Sequence, residues 1–423
     1  MGEAKGGNRT ILVAGGGIAG MSAAVEAAEA GFPVILVERE ASLGGRVAGM
    51  KKYFPKFCPP ACGLEINFRR IRSNPLIRVL TMSEVEKIKG EAGDFTVAIR
   101  LRPRYVNEKC TACGKCSETA VTRIPNPFDY GLSTLKAAYL PHEFAYPMRY
   151  VIDPRIIGTP EAAAVEAACG YGAVDLDMVF DAIEVEAGAI IWATGWTPFD
   201  ACAIPRHGAG KLRNVITNVV LERLASRNGP TGGILSRPSD RKALRKIAFV
   251  QCAGSRDENF LPYCSGVCCL ASLKQAIYML KQDRKAQITI FCTDIRVPGN
   301  YEAQFKSIEQ EDGITLVRGK VEQITEDPQT GLVAVVVENQ ATRKILRDEF
   351  ELVVLAAGMV PNTARDKIPA PAAYDEYGFL SAKGNIPGIF GAGCATSPSD
   401  VASSVQGASA AVLRAIQVCR SKD

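Results

Sequence analysis

The sequence predicts an α/β fold with two Rossmann-like dinucleotide-binding domains and a cysteine-rich insert between them. Two stretches, 10–40 and 246–292, each follow the order strand, turn, helix, strand, and closely spaced cysteines lie between the two. The chain has 423 residues, of which 47% are hydrophobic and 22% charged, as in ordinary globular proteins. That length predicts about two to three domains.

The first βαβ unit carries a glycine turn directly after the apolar strand 11–14. Gly15, Gly17 and Gly20 have the spacing G-x-G-x-x-G. In such a turn the first glycine permits the tight bend and the second lets a pyrophosphate approach the backbone. The third lets the helix pack on the strand. This context predicts a dinucleotide site.

The rest of this unit supports that prediction. An alanine-rich helix is predicted over 21–30, with Gly31 as its stop, and a second strand over 34–37. Glu38 ends that strand. A carboxylate there accepts a hydrogen bond from a ribose hydroxyl and repels a 2′-phosphate.

Composition and charge bound the possible partners and the compartment. The basic clusters 69–72 and 100–104 lack interleaved aromatic residues, which favours solvated faces or protein docking over a nucleic-acid site. We expect neither a signal peptide nor a membrane span, and therefore a cytoplasmic protein without membrane contact. The 14 cysteines are clustered, which indicates metal, cluster or redox chemistry rather than a disulfide framework.

A C-x2-C-x2-C run, Cys110, Cys113 and Cys116, predicts a degenerate ferredoxin-like insert. In ferredoxins such a run continues with a fourth cysteine that serves a second cluster, but Ala120 holds that position here. Cys169 stands where the last cysteine of the second half-motif is expected. The three positions spaced back from it are Thr159, Ala162 and Val165.

The pattern of retained cysteines favours one [4Fe-4S] cluster in the insert. Its ligands would be Cys110, Cys113, Cys116 and Cys169, whereas no ligand of the other cluster remains. Cys58 and Cys62 compete as sources of the fourth ligand. Two alternatives stay open: the insert binds no cluster, or the same thiolates bind a structural zinc ion.

In the second βαβ unit, cysteines replace the expected glycines. Strands are predicted over 246–250 and 288–292 and a helix over 264–281, while the turn 251–257 retains only Gly254. We therefore do not expect the usual NAD(P)H binding.

The cysteines of this unit follow the strand end and open the helix. They are Cys252, Cys264, Cys268 and Cys269. Cys264 and Cys268 are four residues apart and would share a helix face, where the helix N-terminus favours thiolates. The four thiolates could converge on one [4Fe-4S] cluster. Buried cysteines that serve only as small apolar residues are the alternative.

Shorter patterns predict the remaining elements. The segment 79–101 alternates as in a small antiparallel sheet, and 206–242 is a linker with one helix over 215–225. Further strands are expected around the turn 327–331 and over 352–358. An alanine-rich helix covers 401–418.

Three turns resemble those of the glutathione reductase and thioredoxin reductase class of FAD proteins: Gly44-Gly45-Arg46, Ala193-Thr194-Gly195 and Gly393-Cys394. The resemblance implies FAD. Cys394 stands where that class has an aspartate on the ribityl chain, and Val47 stands near its redox cysteines, with Cys58 and Cys62 a dozen residues on. The predicted FAD-binding residues are Gly15, Gly17, Ile18, Ala19, Gly20, Glu38, Arg39, Gly45, Arg46, Ala193, Thr194, Gly195, Gly393 and Cys394.

Most of the chain resembles the A-type subunits of heterodisulfide reductase and their relatives, including those of bacterial sulfur-oxidising complexes. The most specific motifs are 251–257 and 262–269. Three further segments also match: Phe54-Pro55 with Cys58 and Cys62, the C-x2-C-x2-C run, and 150–154. The resemblance implies a thioredoxin/glutathione reductase-like fold with FAD. It also implies a [4Fe-4S] cluster on Cys252, Cys264, Cys268 and Cys269. A shortened form of the sulfur-oxidiser type fits the length.

These observations predict five segments. They are a first FAD-binding part (1–104), the insert (105–178), a second FAD-binding part (179–212), a Rossmann domain with a cysteine cluster (213–362) and a C-terminal FAD-binding part (363–423).

The predicted function is that of an electron-transfer oxidoreductase subunit with FAD and one or two [4Fe-4S] clusters. The resemblance implies B- and C-type partner subunits together with a homodimer, and sulfur-compound oxidation is the expected setting. A stand-alone NAD(P)H-dependent disulfide reductase and a zinc-binding scaffold are the alternatives.

Overall fold

A computed structural model describes residues 8–53, 57–384 and 386–421, without the side chain of Asn300. The chain forms two compact units. Unit 1 comprises Met1–Ala48, Pro60–Trp196 and Pro361–Asp423, and unit 2 comprises Gly49–Pro59 and Thr197–Val360. The Phe54-Pro55 motif lies outside the described residues. The five predicted segment boundaries stay predictions.

The strands in chain order are β1 (Ile11–Ala14), β2 (Val34–Glu38), β3 (Ile77–Thr81), β4 (Ser83–Glu91), β5 (Asp94–Leu101), β6 (Arg123–Pro125), β7 (Thr134–Lys136), β8 (Ala138–Tyr139), β9 (Val151–Ile152), β10 (Asp181–Ala187), β11 (Ala189–Trp192), β12 (Trp196–Pro198), β13 (Val215–Thr217), β14 (Lys246–Ala253), β15 (Gln287–Cys292), β16 (Ile314–Glu326), β17 (Val333–Asn339), β18 (Ile345–Phe350), β19 (Leu352–Ala357), β20 (Met359–Pro361) and β21 (Ile389–Gly391). The α-helices are α1 (Ile18–Glu29), α2 (Gly45–Ala48), α3 (Pro60–Ser73), α4 (Lys115–Thr119), α5 (Pro160–Ala167), α6 (Asn218–Ala225), α7 (Cys268–Gln282), α8 (Glu302–Glu309) and α9 (Val401–Arg420).

Unit 1 is built on a five-stranded parallel sheet in the order β21-β11-β1-β2-β3. β1 is central and fully buried because both faces of the sheet are covered. Residues of α1, α3 and α9 pack in one core with Ile11 and Val13. Residues of the antiparallel sheet β10-β5-β4 pack with Leu12 and Ala14 on the other face. The glycine turn therefore emerges at the carboxyl edge of a rigid sheet.

The antiparallel sheet differs in part from the prediction for 79–101. Residues Ile77–Thr81 form β3, which pairs in parallel with β2, and only β4 and β5 belong to the antiparallel sheet. Met82 separates the two with a left-handed backbone, φ 55°. A period-two pattern marks a strand but does not say which neighbour it pairs with.

The insert has a small core of its own, which includes Val106, Ala137, Ile152 and Val174. The short hairpin β6-β7 and the pair β8-β9 lie between α4 and α5. The insert belongs to unit 1.

Unit 2 contains a seven-stranded sheet in the order β13-β19-β14-β15-β16-β17-β18. Two of its helices differ from the predictions. Residues Val215–Thr217 are a strand paired with β19, so α6 begins only at Asn218. The long helix α7 begins at Cys268, because Gly266 has a left-handed φ of 70° and breaks the helix before it. Cys264 and Cys268 therefore do not share a helix face, and that prediction is wrong.

Over the described ranges, no helix is both long and apolar enough to cross a membrane.

Candidate functional site

The glycine turn of unit 1 is too crowded for side chains at two of the three predicted positions. Gly15 has φ +107°, and a Cβ there would lie 2.4 Å from the carbonyl oxygen of Ala193. A Cβ on Gly20 would lie 1.7 Å from the carbonyl oxygen of Gly15. The turn thus joins helix α1, strand β1 and the end of β11 at van der Waals contact.

A fourth glycine, Gly16, belongs to the same turn and was missed because it is a variable position of the motif. Its N–H donates to Oε2 of Glu38 at 2.6 Å. A Cβ at Gly16 would lie 2.4 Å from Cδ2 of Leu43. Burial raises the pKa of Glu38 to about 7, against the hydrogen bonds from Glu40 and Gly16 that lower it. Glu38 therefore holds the glycine turn in place through its hydrogen bond with Gly16.

Space for a phosphate group remains in front of α1. Gly17 caps this 12-residue helix without a side-chain hydrogen bond, and the first turn has no acidic residue. A Cβ on Gly17 would approach only Cα of Gly45, at 4.0 Å. The first-turn N–H groups and the positive end of the helix dipole therefore point into open space, which fits the pyrophosphate of a dinucleotide.

Two other predicted turns of the same unit contact this cradle. A Cβ on Gly393 would lie 2.8 Å from Cβ of Ala19, so the Gly393 turn packs on α1. Asn362 donates from Nδ2 to the carbonyl oxygen of Thr194 at 2.6 Å, a contact that the sequence reasoning missed. Among the described residues, Thr194 Oγ1 and Asn362 Oδ1 are buried without a hydrogen-bond partner. Such orphaned polar atoms suit the polar edge of a bound cofactor.

Three further predicted FAD residues make side-chain contacts within unit 1. Arg46 donates to the carbonyl oxygen of Trp196 and, from Nη1, to Tyr130 Oη at 3.1 Å. Buried Cys394 donates from Sγ to the carbonyl oxygen of Ser399 at 3.3 Å. Arg39 is exposed and pairs with Asp366 at 3.2 Å, so its geometry points to a surface ion pair.

Four cysteines of the insert, here called the insert thiols, line one small cavity: Cys110, Cys113, Cys116 and Cys169. Ala173 N–H donates to Sγ of Cys169 at 3.3 Å. Burial acts to raise the pKa of Cys169, but the backbone N–H groups of residues 171–174 outweigh it and lower that pKa. Burial raises the pKa of Cys116 to about 11. The site thus favours a thiolate at Cys169.

The four positions where a second cluster would need cysteines have structural roles in the insert. Ala120, Ala162 and Val165 are buried in the insert core. Thr159 caps α5 by accepting the Ala162 N–H at 3.3 Å. Glu161 accepts hydrogen bonds from the N–H groups of residues 121 and 122, which ties the loop after α4 to α5.

Four cysteines of unit 2, here called the unit 2 thiols, interact electrostatically with one another: Cys252, Cys264, Cys268 and Cys269. Cys252 has a left-handed φ of 57°, and Cys264 accepts the Gly266 N–H at 3.4 Å. Cys269 accepts the Arg296 N–H at 3.5 Å. Burial raises the pKa of Cys269 to about 11 and also raises that of Cys268.

A hydrogen-bonded scaffold supports the unit 2 thiols. Ser255 and Ser265 are buried, with their Oγ atoms 2.8 Å apart, and Ser265 accepts the Met359 N–H at 2.8 Å. Arg256 pairs with Asp294 and also lowers the pKa of Cys252, which burial raises. Sequence reasoning missed this scaffold because its contacts join segments 10, 38 and 94 residues apart.

A fifth thiol, Cys292, ends β15 and interacts electrostatically with Cys269 and Cys252. Cys58 is half-buried in unit 2, whereas Cys62 is exposed on α3 of unit 1. Within residues 8–53, 57–384 and 386–421, no group of three or more His, Cys, Asp or Glu side chains is arranged to hold a metal ion. The assignment of ligands therefore stays a prediction.

Comparison with known proteins identifies the class. The family described as FAD dependent oxidoreductase matches residues 10–58. The fold is similar to thioredoxin reductase of T. acidophilum, with a TM-score of 0.53 and 16% identity over 97% of this chain and 98% of that one. It is also similar to bacillithiol disulfide reductase Bdr of Bacillus cereus, with a TM-score of 0.54 and 13% identity over 98% and 99%. The chain therefore has the predicted thioredoxin reductase-like fold.

Curated relatives that match most of the chain are subunits of heterodisulfide reductases. The second iron-sulfur A-type subunit of CoB–CoM heterodisulfide reductase from Methanopyrus kandleri is 39% identical over 96% of this chain and 63% of its own length. The A-type subunit of the ferredoxin/F420H2-dependent CoB–CoM heterodisulfide reductase from Methanosarcina acetivorans is 36% identical over 97% and 53%. The predicted resemblance to the A-type subunits of heterodisulfide reductase is confirmed. The chain spans about 53–64% of the length of the curated relatives it matches.

Proposed function

We propose that this chain is an electron-transfer subunit that binds FAD in unit 1 and [4Fe-4S] clusters on the insert thiols and the unit 2 thiols. It would pass electrons between the flavin, the clusters and partner subunits. The observation that carries the proposal is the presence of two separate four-cysteine groups in a chain with an open dinucleotide cradle. Bound FAD supplies two-electron chemistry and exchanges single electrons with iron–sulfur centres.

The surroundings of each thiol group fit cluster ligation. Thiolates are the ligand form, and N–H donors and cations near sulfur stabilise them. Cys169 has backbone donors, and Cys252 faces the Arg256 guanidinium. Cys268 and Cys269 start α7, at the positive end of a 15-residue helix. Burial excludes water from Cys268 and would shield a bound cluster.

The chain's partners and setting belong to the same proposal. The relatives are A-type subunits by name, so B- and C-type subunits are the proposed partners, together with a homodimer. The cytoplasmic location expected from the sequence and the role in sulfur-compound oxidation expected from the family resemblance remain proposals.

An NAD(P)H-dependent disulfide reductase is less well supported by unit 2. In a Rossmann domain the acid at the end of the second strand holds the ribose. The first acid after β15 is Asp294, two residues beyond the strand end at Cys292. It pairs with Arg256 and, at 3.1 Å, with Arg296. A Cβ on Gly254 would lie 2.2 Å from the Phe199 ring, so the Phe199 side chain already occupies the space beside this turn.

One anaerobic preparation tests the proposal. Flavin, iron, sulfide and zinc are assayed per chain, and the flavin spectrum is recorded after NADPH is added. The proposal expects one FAD, about eight irons with equal sulfide, and no bleaching by NADPH; about four irons would mean that one thiol group holds no cluster. Stoichiometric zinc without iron would favour a zinc-binding scaffold, and rapid bleaching without iron would favour a disulfide reductase.

A further inference from the structure

Tyr130 of the insert contacts Arg46, a cation beside the predicted FAD cradle. Its hydroxyl accepts a hydrogen bond from Nη1 of Arg46 at 3.1 Å. Arg46 directly follows Gly45, which faces Gly17 across the cradle. The guanidinium also lies over the Trp196 ring, 4.9 Å from its centroid. Tyr130 thus belongs to a second element that reaches the predicted cofactor site.

The backbone of Tyr130 is held in a conformation that tyrosine rarely adopts. Its φ is 54°, in the left-handed region, and it ends a short 3-10 turn over Pro127–Asp129. Bulky residues persist there only where their surroundings impose it, and such positions concentrate at functional sites. A glycine would fit this backbone without strain, whereas a tyrosine does not.

A buried polar network builds this turn. Asn126 caps it by accepting the Phe128 N–H at 3.0 Å and donates from Nδ2 to Asp129 at 3.0 Å. Ser133 Oγ donates to the same Asp129 carboxylate at 2.5 Å. Asn126 and Asp129 are 8% and 2% exposed. Satisfied buried networks of this kind fix a single backbone arrangement.

The turn is also fastened to the segment that precedes Arg46. The Phe128 ring stacks on His142 with a centroid distance of 4.8 Å. His142 Nε2 lies 3.2 Å from Oγ of Ser42, and Ser42 accepts the Tyr146 N–H at 2.9 Å. Ser42 stands four residues before Arg46, so both ends of the segment 42–46 are held by the insert.

We propose that Tyr130 is a positioning residue that aims the Arg46 guanidinium at the negative charge of FAD, so that the insert sets the geometry of the cofactor site. The inference rests on FAD binding in unit 1. Arg46 is partly buried, and a partly desolvated cation that is held in place attracts an anionic cofactor more strongly than a mobile one. Loss of the hydroxyl removes one of the contacts that hold the guanidinium, while the Trp196 contacts and the fold remain.

The test compares two tyrosine-to-phenylalanine variants of the insert. Tyr130→Phe removes the hydroxyl that contacts Arg46. Tyr105→Phe is the matched control, because Tyr105 also has a left-handed φ, 56°, and lies in the insert. The dissociation constant of FAD is measured by flavin fluorescence on chains stripped of flavin, and the flavin reduction potential by spectroelectrochemistry.

We expect Tyr130→Phe to weaken FAD binding about three- to ten-fold and to shift the potential negatively, because the hydrogen bond to a charged group is half-exposed. Tyr105→Phe should match the wild type. In an Arg46→Gln background, Tyr130→Phe should change nothing further. Wild-type constants in Tyr130→Phe, or an unchanged effect without Arg46, would overturn the inference. Absence of FAD binding by the wild type would instead refute the proposed function.

Discussion

The carboxylate of Glu38, at the end of β2, accepts the backbone N–H of Gly16 at 2.6 Å, and so joins the second strand to the glycine turn. Its other oxygen accepts the Glu40 N–H at 2.7 Å. The residue predicted to meet a ribose hydroxyl therefore also holds the glycine turn in place.

The first prediction concerns pH. Burial raises the pKa of Glu38 from 4.5 to about 7, so the folded chain binds this proton more tightly than the unfolded chain. The resulting stabilisation is present below pH 4.5 and is lost as the pH rises to 7. In the FAD-free chain the contribution of this group falls by about 3 kcal/mol over that window. Urea unfolding at several pH values should show a flatter profile for Glu38→Gln, and identical profiles would contradict the argument.

The second prediction contrasts two helical glycines. Gly20→Ala places a Cβ 1.7 Å from a backbone oxygen and should cost about 3 kcal/mol and abolish FAD binding. Gly63→Ala in α3 meets nothing within 4 Å and should stabilise the chain by about 0.5–1 kcal/mol. Thermal unfolding and FAD titration of both variants check this. Equal changes in stability and FAD binding for the two variants would show that the contact with Gly15 does not cause the loss in Gly20→Ala.

The third prediction concerns a buried ion pair in unit 2. Lys274 and Glu222 are 5% and 8% exposed and lie 2.8 Å apart, and Glu222 also accepts the Lys51 N–H at 2.9 Å. Lys274→Met leaves a buried carboxylate without its cation and should destabilise unit 2 by about 3–5 kcal/mol. Adding Glu222→Gln should recover part of that loss.

An exposed pair provides the control for this ion pair. Lys306 and Glu302 lie 3.0 Å apart on α8, and both are 65% exposed. Lys306→Met should change the free energy of unfolding by about 0.5 kcal/mol or less. Equal losses for Lys274→Met and Lys306→Met would contradict the role of burial.

Local periodicity was sufficient for the framework of the fold. It predicted β1 without error, α1 to within three residues and the two βαβ units, because apolar periodicity and glycine spacing are local signals. It failed at Val215–Thr217 and at the start of α7. There, pairing with β19 and the left-handed Gly266 decide the structure, and neither is visible in a hydrophobic pattern.

Only the motif residues of the candidate site were predictable from the sequence. Gly15 and Gly20 behave as the motif requires, whereas Gly16, Asn362 and Tyr130 contribute through contacts between distant segments. These contacts depend on tertiary packing, so no spacing rule could have revealed them.

The central claim is that two separate thiol groups each hold a [4Fe-4S] cluster. Iron and sulfide are counted after anaerobic purification of the wild type, Cys113→Ser, Cys268→Ser and, as control, Cys202→Ser, whose cysteine is exposed and outside both groups. We predict about eight irons per chain in the wild type and the control and about four in each ligand variant, with FAD retained. A Cys268→Ser chain that keeps the full iron content of the wild type would contradict the account.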